Sequence, residues 1–205
     1  MMRITLITTV AALAFTACGG ETPAPPAPAE PAVEGPVTPA PAAADANAIT
    51  GQGWGALKIG MTLDEVTAAA GPDSNPDAIG GADPASCDQF RPANAPEGVL
   101  VMIESGRLTR VSLVEMSDIK TDKGLGIGDT ADAVKAAYGA SAAVTPHKYA
   151  PAPTEDIIVW EGGPRSEPYV QDEAARGVRY EIDATGKVGA IHAGDPSIQL
   201  VEGCS

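Results

Sequence analysis

Basic side chains are scarce in this sequence: thirteen Lys and Arg stand against twenty-seven Asp and Glu, for a net charge of −14. Most of the imbalance lies from Ile49 to Ser205. Setting aside Arg3 leaves twelve cations there, and setting aside Glu21, Glu30, Glu34 and Asp45 leaves twenty-three anions. A surface of that sign repels phosphate backbones and anionic lipid headgroups, which argues against nucleic acid as a partner. Histidine is rarer still. His147 and His192 belong to no H-x-x-x-H or H-E-x-x-H pattern, and no G-x-S-x-G elbow is present, so the familiar zinc and serine hydrolase signatures are absent. Aromatic rings are few, with two Trp, four Tyr and two Phe. Trp54 and Trp160 are the largest apolar groups; their default place is inside a sheet packing, and an exposed indole would mark a partner surface. The mostly apolar run from Ile4 to Ala17 has fourteen residues. At about 1.5 Å rise per residue it cannot cross a hydrocarbon core of about 30 Å as a helix.

That run, in MMRITLITTVAALAFTACGG, follows one positive charge at Arg3 and ends at a cysteine, so it reads as a signal peptide over residues 1–17. Small Thr16 and Ala17 before Cys18, with apolar Phe15 three residues ahead of it, resemble the lipobox of bacterial lipoproteins. The resemblance implies that Cys18 becomes the mature N-terminus and carries diacylglycerol and a third acyl chain, which anchor stably because each buried CH₂ contributes about 0.8 kcal/mol. Gly19 in place of Asp then implies the outer membrane, with the protein facing the periplasm. The alternative is an ordinary secretory peptide with an incidental cysteine. Residues 18–48 carry eight prolines between Pro23 and Pro41 and no aromatic side chain. Such a segment cannot bury enough apolar surface to offset its ordering entropy and reads as a disordered tether, with a proline-rich ligand as the alternative. In polyproline II form, some thirty residues reach at most roughly 90 Å. With Cys18 given to lipid, Cys87 and Cys204 remain as an even pair in a compartment that permits disulfides; two unpaired buried thiols are the other possibility.

The remaining chain says one thing twice. LKIGMTLDEVTAAAG at 57–71 and LGIGDTADAVKAAYG at 125–139 share nine of fifteen positions at an offset of 68. Thr62 is placed as an N-cap with Glu65 completing a T-x-x-E capping box; Thr130 keeps the cap, but Ala133 loses the box and leaves Asp129 or Asp132 to serve the helix start. Leu63, Val66 and Ala70, and Val134, Ala137 and Tyr138, have helical spacing and predict one apolar face each. Gly71 and Gly139 are placed to stop the helices. After each phrase two strands are predicted, from Gly98 through a turn at Glu104-Ser105-Gly106 and from Gly177 through a turn at Ala184-Thr185-Gly186, with earlier strands at 86–91 and 156–161. The fold class expected is α+β: two tandem repeats, 49–121 and 122–205, each a short helix packed on a three- to four-stranded antiparallel meander.

The I-G-M-T-x-x-E-V-x-x-x-x-G phrase, with its lipobox and tether, resembles the SmpA/OmlA (BamE) lipoproteins of the outer-membrane β-barrel assembly machinery, matching over 59–71 and 127–139. Two units in tandem, with a cysteine linking the end of the second to the first, are similar in plan to the β-lactamase inhibitor proteins. The first resemblance implies a non-enzymatic, lipid-anchored envelope protein with a protein-interaction domain, accessory to outer-membrane assembly, and envelope proteins as partners. The second implies an inhibitor or binder of a secreted or periplasmic enzyme.

Few residues are candidates for chemistry. His147, Lys148 and Tyr149 cluster donors and a ring and could line a binding groove; a loop histidine without a task is the alternative. Asp73-Ser74-Asn75-Pro76-Asp77 spaces oxygens like a calcium loop, but Ala78 and Pro84 stand where that loop needs Gly and Glu, so it reads as a turn. Gly124-Leu125-Gly126-Ile127-Gly128 lacks a G-K-[ST] ending, and Asp129 would repel phosphate. The stretch 162–172, with Arg165 and Tyr169, has no counterpart in the first half and is the place to look for recognition. The candidate surface is therefore His147, Lys148, Tyr149, Trp160, Arg165 and Tyr169, with no catalytic residue, metal or cofactor; a small-ligand or glycan binder using Tyr149, Trp160 and Tyr169 is a third reading.

Overall fold

The computed structural model describes residues 45–78, 80–167 and 169–204. The signal peptide, Cys18 and the tether up to residue 44 lie outside the described residues. Helix α1 (Leu63–Ala70) starts as its residues dictate: the Thr62 hydroxyl accepts from the Glu65 amide at 3.3 Å, and the Glu65 carboxylate accepts from the Thr62 amide at 2.8 Å. Helix α2 (Ala131–Tyr138) keeps only the first of these, from the Ala133 amide to Thr130 at 3.2 Å. Asp129 does not serve the helix; its carboxylate accepts from the Gly126 amide at 2.7 Å and closes the preceding turn. The predicted apolar faces are corrected in part. Val66, Ala70 and Val134 are buried, but Leu63 and Ala137 are exposed, because each two-turn helix leans on the sheet along a stripe only one residue wide.

Among the described residues there are nine strands: β1 (Gly53–Trp54), β2 (Leu57–Lys58), β3 (Cys87–Phe90), β4 (Val99–Glu104), β5 (Arg107–Val114), β6 (Ala143–Pro146), β7 (Glu155–Trp160), β8 (Gly177–Ile182) and β9 (Val188–Gly194). β1 and β2 form a small hairpin. The other seven make one antiparallel sheet in the order β3-β4-β5-β9-β8-β7-β6. This corrects the expected α+β class. The protein is mostly β, with one seven-stranded sheet and two eight-residue helices, and no two tandem helix-on-meander repeats occur among the described residues. The physical reason lies at the middle of the sheet. β5 and β9 pair from Arg110↔Gly194 to Val114↔Ala190, so the strands that would have been the open edges of two small sheets satisfy one another.

What the repeated phrase shares is local docking. The Gly60 amide donates to the Leu108 carbonyl at 2.7 Å and the Leu63 amide to Gly106 at 3.2 Å; the Gly128 amide donates to Val188 at 2.8 Å and the Ala131 amide to Gly186 at 3.1 Å. Gly60 and Gly128 sit at φ of +96° and +87°, which a side chain would strain. Each helix start is thereby pinned to a hairpin, β4–β5 or β8–β9, and each hairpin carries one bulged residue, Thr109 or Gly189.

The sheet has two different faces. Val101, Val111, Leu113, Ile157, Tyr180, Ile191 and Ala193 form the main core with Val66 and Val134 of the helices. Strand alternation puts Arg110, Ser112, Arg179 and His192 on the other side. A C-terminal strap crosses that side. Its short 3₁₀ turn (Pro196–Gln199) packs Ile198 against Trp160, Val170 and Ala175, and its end is tied to β3 by a Cys87–Cys204 disulfide with Cα atoms 5.4 Å apart. The outer edge of β3 is covered by the segment before it, through Gln89 to Gly80 and Ser74 to Arg91 backbone bonds. The edge strand β6 is four residues long and ends in Pro146, both of which discourage further pairing.

Candidate functional site

The face away from the helices gathers titratable side chains that local patterns did not predict. Register aligns Ser112 of β5, His192 of β9 and Arg179 of β8 in one row, and places Asp156 of β7 beside Glu181 of β8 in the next. Ser112 Oγ lies 2.8 Å from His192 Nδ1. His192 Nε2 lies 3.5 Å from Glu181 Oε2, too long for a well-formed hydrogen bond but close for a charge. Arg179 Nη2 bonds the same oxygen at 3.2 Å, and Arg179 Nε is 3.8 Å from Asp156 Oδ1. Arg179 is only 1% exposed. Asp156 Oδ1, Arg179 Nε and His192 Nε2 are buried without a hydrogen-bond partner, so this row holds charge that is attracted but incompletely bonded.

Burial and neighbours pull these groups in different directions. Burial raises the Asp156 carboxyl, against the opposing pull of Arg179. The adjacent His192 ring holds Glu181 below the usual carboxylate range, with further help from Arg179 and His147. Burial, reinforced by Arg110 and Arg179, lowers His192 from 6.5 to about 4, and Glu181 does not reverse it. At neutral pH His192 is therefore a neutral imidazole beside the Arg179 cation and the Glu181 carboxylate, with Asp156 pushed towards its neutral form.

A stability prediction follows from His192. Its folded value lies below its unfolded one, so the unfolded chain binds the extra proton between pH 6.5 and about 4, and stability falls as pH drops through that window. The loss amounts to roughly 3 kcal/mol at the acid end. Glu181 acts in the same direction and Asp156 in the opposite one. Urea unfolding at pH 7 and at pH 4.5 should give a wild-type slope that His192→Gln flattens by most of that amount; equal slopes would contradict the assignment.

Ser112, His192 and Glu181 suggest a hydrolytic triad, yet the geometry works against one. A nucleophile must reach substrate, with its base beside it and an acid behind the base. Ser112 is buried, and its hydroxyl is tied to His192 within the sheet. The arrangement fastens strands β5, β9 and β8 together through polar groups.

The six sequence-predicted residues do not converge. His147, Lys148 and Tyr149 stay together at the Glu181 end of the row. His147 Nε2 is 3.8 Å from Glu181 Oε1, and its Nδ1 accepts from the Tyr149 amide at 3.2 Å, so the ring proton sits on the nitrogen facing Glu181. Tyr149 is 57% exposed, with the Lys148 ammonium 4.8 Å from its ring centre. Trp160 is buried at 5% exposure, lying on Gly177, where an added Cβ would come within 2.7 Å of the indole. Arg165 turns back onto the Glu161 carbonyl at 3.3 Å, and Tyr169 lines a cleft elsewhere on the molecule. Sequence reasoning missed Ser112, Asp156, Arg179 and Glu181. The available signal was V-R-Y-E-I in β8, two opposite charges alternating with core residues two positions apart.

Part of the chain is similar to solved structures that include a DUF4309 family protein (YjgB) from Bacillus subtilis subsp. subtilis str. 168, at 13% identity over 70% of this chain and 84% of that one, with a TM-score of 0.42. Another is an extracellular protein containing a SCP domain from Bacillus anthracis str. Ames, at 11% identity over 67% of this chain and 44% of that one, with a TM-score of 0.39. No family model matches the chain, and no curated protein matches it in sequence.

Proposed function

We propose that this is a lipid-anchored protein of the bacterial cell envelope, held through Cys18 at the outer membrane facing the periplasm, whose folded part is a non-enzymatic protein-interaction domain accessory to outer-membrane assembly. The observation that carries the interaction reading is the exposed pair Lys148 and Tyr149, seated beside the largely covered His147. A rigid ring with a cation stacked on it, beside a buried charged row, is the kind of anchor that dominates protein interfaces at low entropic cost. The Cys87–Cys204 bond supports an oxidising compartment and leaves Cys18 as the remaining cysteine. The inhibitor reading rests on a two-unit plan and an acidic surface, and loses the first of these with the single sheet. The glycan reading needed Tyr149, Trp160 and Tyr169 on one surface, and Trp160 is buried.

A photo-cross-linking residue placed at position 149 of the full-length lipidated protein tests the proposal in intact envelopes. Light-dependent adducts with outer-membrane assembly proteins are expected from position 149 and not from position 116, where Met116 is also exposed. Adducts with no envelope protein, or the same set from both positions, would reject it.

A further inference from the structure

A second site lies apart from the charged row. The β4–β5 turn, the loop from Tyr169 to Arg176 and the C-terminal strap enclose an open cleft of about 680 Å³, within the range that holds a small ligand. Its lining brings together two guanidinium groups, Arg107 and Arg176, three carboxylates, Glu104, Glu173 and Asp195, and the half-exposed ring of Tyr169. Among the described residues no ion pair joins any of these five charges to another. Opposite charges left free to relax in one cleft would ordinarily pair. Here three of them are held by the backbone instead. Arg176 Nη1 donates to the carbonyls of Glu173 and Ala175 at 2.7 and 2.8 Å, Arg107 Nη1 donates to the Gly60 carbonyl at 2.9 Å, and Asp195 Oδ1 accepts from the Ser197 amide at 2.9 Å. Each group is fixed through one polar atom and keeps others unbonded, so the charges are positioned before anything binds.

We propose that this cleft binds a short peptide with free ends, its carboxylate on the arginines, its ammonium on the facing carboxylates and its middle against Tyr169. A fixed guanidinium fork matches a carboxylate in two bonds, and separated fixed charges of both signs match a zwitterion better than they match neutral hydroxyls. An oligosaccharide would use the ring and hydrogen bonds but would gain nothing from the separation of charge. The proposal does not depend on the partner reading above, since it rests on different residues.

Calorimetric titration of the full-length protein in detergent tests it with trialanine, N-acetyl-trialanine, trialanine amide and maltotriose. Trialanine is expected to bind saturably, and capping either end should weaken it about tenfold, the loss of one charge-assisted contact. Arg176→Gln should weaken trialanine by a similar factor but leave the amide unaffected. Glu173→Gln, at an exposed side chain, should abolish the difference between trialanine and its acetylated form. Lys123→Ala, at an exposed side chain outside the cleft, should change nothing. No saturable trialanine binding, equal binding of the capped peptides, equal binding of maltotriose, or a correctly folded Glu173→Gln that keeps full discrimination would each overturn the proposal.

Discussion

Replacing Cys87 and Cys204 together by alanine is expected to lower the unfolding free energy by about 4–5 kcal/mol, on a chain-entropy account of a loop closed across 117 residues. The loop is long because the bond joins the sheet's outermost strand to the end of the strap, so it encloses the whole seven-stranded sheet and α2 and leaves out β1, β2 and α1. The native fold should survive the loss. Arg110 Nη1 holds the Leu200 carbonyl at 2.9 Å and the Ser197 carbonyl at 3.3 Å, and its Nη2 holds Gln89 Oε1 at 2.6 Å. Gln199 clamps Val170 from both sides, accepting from its amide at 2.9 Å and donating to its carbonyl at 2.8 Å. Arg110 is 3% exposed and has no carboxylate within ion-pair distance among the described residues, so its charge is carried by these carbonyl oxygens. Burial lowers it to about 10, which still leaves it protonated at neutral pH. Urea unfolding of the double variant should show the lower free energy together with a steeper dependence on urea, because the denatured chain expands once the crosslink is gone. A loss below about 1 kcal/mol would mean that the crosslink scarcely restricts the denatured chain.

Local rules made some of this architecture legible and could not reach the rest. Thr62 with Glu65, and Thr130 alone, mark helix starts because a cap is a contact between residues three apart. The turns at Ser105-Gly106 and Thr185-Gly186 are readable for the same reason, and the strands expected at 86–91 and 156–161 are found as Cys87–Phe90 and Glu155–Trp160. The pairing that decides the fold class joins Val111 to Ala193, across about half of the folded chain, and nothing in either strand's own alternation specifies its partner. β1, β2 and β6 are too short and too mixed in composition to register as strands. The candidate surface failed in an instructive way. Trp160 stands among the candidate binding groups although its default place is inside a sheet packing, and the default holds: a residue inside a strand takes its environment from whatever crosses that face, and the strap crosses there. Arg179, on the same face, is likewise buried, at 1% exposure. The polar cluster is visible only once four strands, β5, β9, β8 and β7, are in register.

Arg179 is where that cluster should be most sensitive. Arg179→Met keeps most of the side chain's volume and removes the cation that faces both Asp156 and Glu181, and it is expected to cost about 3–5 kcal/mol at pH 7, the usual penalty for leaving a buried charge uncompensated. The pH dependence distinguishes charge from packing. Burial already raises Asp156, and loss of Arg179 removes the effect that opposes it, so the variant takes up a proton at Asp156 at higher pH than the wild type does. A carboxyl whose folded value is raised binds more protons in the folded state, so the variant regains stability relative to the wild type as pH falls from 7 towards 5. A deficit that stayed constant over that range would point to packing alone. Adding Asp156→Leu to Arg179→Met should recover most of the lost stability, because an apolar pair of similar volume leaves neither charge stranded. If the double variant were as unstable as Arg179→Met alone, the buried charge on Asp156 would not be the cause, and the row would have to be held by the shape of its side chains, not by their pairing.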